Sequence, residues 1–279
     1  LARTLTQQLG ERWGHTVVSD NRGGAGGPIG VDLAAKSQPD GYTIVMGYIA
    51  PISVNVSLGK LPYDPVKDFQ AVYMVCLSPT CIVVHESVPA KTLKEIVDLA
   101  KKEPGKLNFS SPGVGTPNHL GGAMLTTLTG IELLHVPYKM AAQSLSDLIS
   151  GTIQLSVSGL MNTVPHEKAG RLKILGVGHT HRIKWLPDLP AVNETIPGYY
   201  TTGWWGLVGP AGLPKPIVDK LNPIMNKWLQ LPETIQRFQA GGLEIATTTP
   251  QGYADMIRND TQMWRKLIKD TKISVDSLP

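Results

Sequence analysis

The sequence predicts an α/β protein of two domains, with parallel strands flanked by helices. Three observations lead there. Between residues 92 and 177, short apolar β-type runs alternate with amphipathic helical stretches, as in consecutive strand–helix units. After residue 181 the texture changes: Pro187, Pro190 and Pro197 break up a long connection, and the remainder of the chain is mostly helical. Two extended segments, near 70–85 and 198–210, can carry the chain between this middle and the two ends, which look like pieces of another domain.

Leu1, Leu5 and Leu9 recur every four residues and mark an opening helix. Nothing upstream caps it, so a leader, and folded sequence after it, is expected to precede residue 1. "TVVSD" (16–20) is strand-like, and Pro28 opens a helix through "PIGVDLAAKS". "YTIVMGYI" (42–49), "FQAVYMVCL" (69–77) and "TCIVVHE" (80–86) are strands. Thr92 and Glu95 have the spacing of a capping box and start the helix "LKEIVDLAKK". Three strand–helix units come next: "KLNFSS" into "PNHLGGAMLTTLTG", "IELLHVPY" into "AAQSLSDLISG", and "TIQLSVSG" into a short helix near "NTVPHEKAG", which leads to the strand "LKILGVG". Beyond the proline-broken connection lie helices over "PIVDKLNPIMNKWLQ" and "PETIQRFQAGG", then a last strand "LEIATTT". A long final helix has Thr249 as cap, Pro250 at its first position and an apolar face of Tyr253, Ile257, Met263, Trp264 and Ile268.

Composition narrows the function. The 279 residues are 42% apolar and 17% charged, enough for two ordinary domains. The net charge of +4 is dispersed, without the basic stripe that nucleic acid requires. No apolar run reaches the roughly 18 residues of a membrane span. Cys76 and Cys81 bracket "LSPT" and match no metal or redox motif; they are expected to be buried thiols, with a disulfide across a tight turn as the alternative.

Motif tests mostly fail. "SSPGVGTPNHL" (110–120) and "GGAGGPIG" (23–30) each lack the third glycine of a dinucleotide loop, and neither has the Lys-Ser/Thr of a P-loop. G-x-S-x-G is absent. His179 and His181 form an H-x-H beside Arg182, but a metal needs three or four placed ligands, so no metal site and no cofactor is assigned. His119 and His135 are expected to be packed, and no carboxylates pair for acid–base work.

One positive signal survives. In consecutive units the chain leaves a strand through small or polar residues and enters a helix. The first loop carries Ser110, Ser111, Gly113, Gly115 and Thr116; the second carries Tyr138, Lys139, Ala141, Ala142 and Gln143. In a parallel sheet both helix starts lie at the strands' carboxyl ends, where ligands bind. Each offers backbone N–H groups and a positive dipole end. Two side by side make a carboxylate site that needs no arginine.

Several stretches, in order over nearly the whole chain, resemble one family: "NRGGAGGPIG", "AAKSQPDGYTIVMG", "KLPYDPVKDF", "VHESVPAKTLKEIVDLAKKEPGKLNFSSPGVGTPNHL", "HVPYKMAAQSLSDLISG" and "WWGLVGPAGLPKPIVDKLN". They are similar to the Bug (TctC-like) periplasmic solute-binding proteins of tripartite tricarboxylate transporters. The resemblance implies a two-domain Venus-flytrap fold of type II-like binding proteins, with parallel or mixed sheets and a ligand cleft between the domains. It implies residues 1–78 plus 205–279 as domain 1, lacking the family's amino-terminal strand and Pro-Gly-Gly loop, and 79–204 as domain 2. It further implies a non-enzymatic, monomeric periplasmic protein that captures a small organic carboxylate and hands it to membrane permease subunits. An α/β enzyme acting on a carboxylate and a ligand-sensing receptor for a signalling system are the alternatives.

Two departures bear on the ligand. Met140 stands where the family usually has glycine, which favours an apolar or aromatic ligand body. Ser158 stands where many members have Asp, so a ligand ammonium has no charge partner there. A dicarboxylate or aromatic carboxylate is therefore expected over an amino acid. The opposite wall is expected to include Tyr48, Ile49, Ala50 and Ser53, which come after a strand end, and Trp204 with Trp205, for which core or hinge packing is the alternative. "GGAGG" can face that cleft or serve as a turn into its helix.

Overall fold

The structure is a computed structural model that describes residues 2–22, 27–113, 116–138 and 140–271. It contains two sheets. The first has the order β1 (Val45–Tyr48), β8 (Gly203–Pro210), β2 (Phe69–Ser78), β9 (Glu244–Ile245), and every pairing in it is antiparallel. The second has the order β5 (Leu134–Pro137), β4 (Asn108–Ser111), β6 (Leu155–Gly159), β3 (Thr80–His85), β7 (Leu172–Val177). In it β4 runs parallel to β5 and β6, while β3 opposes β6 and β7.

The two-domain α/β class agrees with expectation, but strand direction does not follow from the alternation. β2 and β3 are separated by Pro79 alone. A parallel neighbour needs a crossover of a dozen residues or more. The chain instead passes straight into the second sheet, where Thr80 lies opposite Gly159, the last residue of β6. β3 therefore starts where β6 ends, and the two are antiparallel.

Helices cover both faces of each sheet. On one face of the first sheet, α1 (Ala2–Trp13), α8 (Lys215–Leu229) and α9 (Pro232–Ala240) bury Leu5, Leu9, Leu221, Trp228 and Phe238 against Tyr73, Val75 and Leu207. On the other, α2 (Pro28–Ala35), a π-helical turn (Ala50–Val54) and α10 (Pro250–Thr271) bury Val31, Ile52, Tyr253, Ile257 and Trp264 against Met74 and Val208. Covered on both faces, β2 is buried continuously from Ala71 to Cys76 rather than in alternation. In the second sheet, α3 (Leu93–Lys102), α4 (Pro117–Thr129) and α7 (Val192–Thr195) pack against Ile82, Phe109 and Leu155 on one face. On the opposite face, α5 (Ala141–Ile149) and α6 (Leu160–Lys168) pack against Cys81, Val83 and Ile174.

Local signals explain most boundaries. Thr92 Oγ1 accepts from Glu95 N at 3.2 Å, although the Glu95 carboxylate returns to Lys91 N (2.6 Å) instead of to Thr92. Thr249 Oγ1 caps α10 by accepting from Gly252 N at 3.0 Å. Two expected strands change. Residues 16–20 pair with no strand among the described residues, and Val18 is 78% exposed; an extended run without a ladder partner remains a loop. "LEIATTT" shrinks to Glu244–Ile245, which pair with Leu77 and Cys76 of β2. Both cysteines are free thiols, each buried among apolar side chains, and burial pushes each up to about 12.

The two crossings between sheets lie side by side and are tied together. Gly178 N donates to Thr80 O (2.8 Å), Thr201 N donates to Gly178 O (2.9 Å), and the hydroxyls of Thr80 and Thr201 meet at 2.6 Å. A side chain at Gly178 would collide with both threonine hydroxyls. Elsewhere the domains touch where Leu120 of α4 enters the core around Trp204 and Trp264, and where Gly242, in the left-handed region (φ 66), lets the chain press against Met161 of α6.

Candidate functional site

The carboxyl ends of β4, β5 and β6 share one edge of the second sheet, facing the crossings. Each leads to a helix start. At α4 the cap is Thr116, whose hydroxyl accepts from His119 N (3.3 Å) and donates to Gly113 O (2.6 Å); Gly113 makes the turn at φ 122. At α5 the cap is Met140, in extended conformation and without a side-chain bond to the first turn. Ala141, Ala142 and Gln143 are exposed there, and Met140 is 63% exposed. A third start, α6, comes directly after β6 through Gly159, again without a side-chain cap. Sequence reasoning took Ser158 of "SVSGL" into the site but not the helix start that comes after it.

Beneath the starts lies a layer of hydroxyls. Ser144 Oγ donates to Ser110 Oγ (2.7 Å), Ser156 Oγ donates to Ser110 O (3.2 Å), and Ser156 and Ser158 hydroxyls meet at 2.9 Å. Ser110 is fully buried and Ser158 half-buried. Ser111 Oγ lies 2.8 Å from His135 Nε2, and the His135 ring stacks on Phe109 and tilts against His119 at 4.4 Å. Burial, then the neighbouring His135, pulls His119 down to about 4; burial also lowers His135. Both are neutral near pH 7. Among the described residues of this edge, attraction for an anion therefore comes from backbone N–H groups and helix dipoles.

Tyr138 spends its hydroxyl on Asp147 Oδ2 (2.7 Å) in α5, and burial together with that carboxylate pushes the phenol up to about 12. Its backbone N donates to Ser111 O, which joins the two loops. Gly115 and Lys139 lie outside the described residues, as does most of "GGAGG".

On the other domain, Tyr48 ends β1 and stacks on Trp205, with ring centroids 4.7 Å apart and 25° between planes. Ile49, Ala50 and Ser53 enter the π-helical turn and are buried; the Ser53 hydroxyl has no hydrogen-bond partner among the described residues. The two tryptophans point to opposite sides of β8, as successive strand residues do. Trp204 is fully buried and donates Nε1 to Asp260 Oδ2 at 2.6 Å. Trp205 remains half-buried beside Tyr48. Asp260 escaped the sequence reading. Its signal was there: it falls on the apolar stripe Tyr253, Ile257, Asp260, Trp264. Burial pushes its carboxyl up to about 6, and only the Trp204 bond opposes that.

Comparison with known proteins adds the identity of the fold. A family model described as "TctC: Tripartite tricarboxylate transporter family receptor" matches residues 1–273. A protein of Pseudomonas sp. (strain P51) described as "UPF0065 protein in tcbD-tcbE intergenic region" is 32% identical over 278 residues, covering 99% of this chain and 83% of its own. Three solved structures are similar. "R. palustris Rpa4515 with adipate" has 30% identity and a TM-score of 0.87, covering 98% of this chain and 92% of the other. The periplasmic binding protein BugD has 32% identity and a TM-score of 0.83 over the same shares. MatC from Rhodopseudomonas palustris with bound malate has 26% identity and a TM-score of 0.82, covering 96% and 92%. The chain belongs to the tripartite tricarboxylate transporter receptor family, whose members are solute-binding proteins and not enzymes.

Proposed function

We propose that the protein captures a small dicarboxylate or aromatic carboxylate, without an ammonium group, in a cleft between its two domains, and delivers it to membrane permease subunits. The dividing points of this reading are residues 79 and 205, with 1–78 and 205–279 forming one lobe and 79–204 the other. The protein acts in the periplasm as a monomer. No helix among the described residues is long and apolar enough to cross a membrane.

The observation that carries the reading is the start of α5, uncapped and exposed, beside the start of α4 at the carboxyl ends of two adjacent parallel strands. A carboxylate there accepts backbone N–H bonds from Ala141, Ala142 and Gln143 and from the loop that ends at Thr116, with Ser158 at the next strand end. Tyr48 and Trp205 supply an apolar wall from the other lobe. Adipate and malate, named with two similar structures, are both dicarboxylates without an ammonium group, and that supports the reading.

The test is a thermal-shift panel of adipate, malate, benzoate, aspartate and glutamate, because a ligand bound only by the native state raises the melting temperature. A rise with at least one of the first three, and none with the amino acids, is expected. Tight binding of aspartate or glutamate without response to simple carboxylates would overturn the choice of ligand class.

A further inference from the structure

At the β7 end of that sheet edge, three side chains from two distant parts of the chain converge where the crossings leave the second sheet. His179 and His181 come directly after Gly178. Glu244 belongs to β9, in the other sheet, opposite Leu77 and two residues before Pro79. One ligand atom from each of the three lies within 4.8 Å of the other two. His179 is buried, Glu244 half-buried and His181 exposed, so the cluster has a floor and an opening. The histidine rings are held edge to face at 4.1 Å. Their loop is anchored by Arg182, which forks onto both carboxylate oxygens of Glu194 at 2.8 Å and reaches Pro187 O at 3.1 Å.

A second observation concerns Glu244 itself. Its Oε2 is buried and has no hydrogen-bond partner among the described residues. A buried carboxylate oxygen without a donor is costly, and a cation is one of the few partners that satisfies it.

We propose that His179, His181 and Glu244 bind a divalent transition metal of the zinc type, joining the two lobes beside their crossings. Two imidazoles and one carboxylate form a donor set suited to Zn²⁺, with a fourth position open to water. Zinc–ligand bonds of about 2.0–2.2 Å place ligand atoms roughly 3.3 Å apart, so a small side-chain rotation closes the cluster onto a metal. The H-x-H was visible in the sequence, but its third ligand was not, because only the fold brings β9 beside residue 179.

The experiment is calorimetric titration of the full chain, stripped with a chelator, with Zn²⁺. One site per chain is expected, with a melting-temperature rise of about 5 °C when the metal stands at about 100 times its Kd. His181→Ala and Glu244→Gln should each weaken binding by about tenfold or more, while His85→Ala, distant from the cluster, should leave it unchanged. Loss in Glu244→Gln specifically reports the link between lobes, since this residue lies on the first sheet. Metal-free melting temperatures of the variants, compared with the parent, separate lost ligation from lost folding. Absence of a one-to-one site, or Zn²⁺ binding that survives both His181→Ala and Glu244→Gln, would overturn the proposal; in the latter case other histidines hold the metal.

Discussion

Asp260 keeps its proton in the folded protein up to about pH 6, whereas an unfolded chain releases it near the ordinary carboxylate value of 3.8. Between those values the native state binds more protons than the unfolded state, so this residue makes stability fall as pH rises through the window, and the loss persists above it. A shift from 3.8 to about 6 corresponds to about 3 kcal/mol. Asp260→Asn keeps an oxygen acceptor for Trp204 Nε1 without the charge. It is expected to have a flatter melting temperature between about pH 4 and 6, and to gain on the parent above pH 6. Calorimetric scans across pH check this; a parent–variant difference that does not change with pH would show that Asp260 does not titrate there. The same residue marks a limit of sequence reading. The period of α10 put Tyr253, Ile257 and Trp264 on one face, and the apolar face was correct. What one polar residue in that stripe pairs with depends on β8, far away in the chain.

Among the elements, the helix starts were the most legible part, because caps and glycine turns are local. Thr249 and Thr92 each accept a first-turn N–H as their spacing required. The directions of β4, β5 and β6 were legible in the strand–helix alternation, but that of β3 was not, since it is set by which sheet the chain enters after Pro79 and not by the run of apolar residues. The wall residues divide on the same ground: alternation along β8 sends Trp204 inward and Trp205 toward Tyr48, but the sign of that alternation is fixed only by the ladder. The uncapped start of α5 gives an element-scale prediction. Ala142→Asp places a carboxylate in the first turn, where the helix dipole favours it, so folding should be unharmed. That side chain competes for the same backbone donors, and affinity for the carboxylate ligand is expected to drop by about tenfold or more. Titration of the variant with its best carboxylate ligand checks this; unaltered affinity would move the site away from α5.

At the scale of the whole molecule, two sheets meet at paired crossings tied through Gly178, Thr80 and Thr201. Such a joint lets each lobe move as a unit. Because one anion between them would contact both, binding should draw the lobes together. Small-angle scattering is expected to show a smaller radius of gyration with ligand than without, and an unchanged value would count against closure. The two-domain plan was legible because the proline-broken stretch and the change of texture flank the crossings. The second sheet takes its five strands from one unbroken run of chain, residues 80 to 177. The first takes two from before that run and two from after it, and the later strand β8 lies between the earlier β1 and β2. During synthesis, the second lobe can therefore close its sheet while β1 and β2 still wait with open edges, the state in which strands are most prone to wrong pairing. A chain halted before residue 203 has one lobe's sheet complete and the other's without β8 and β9.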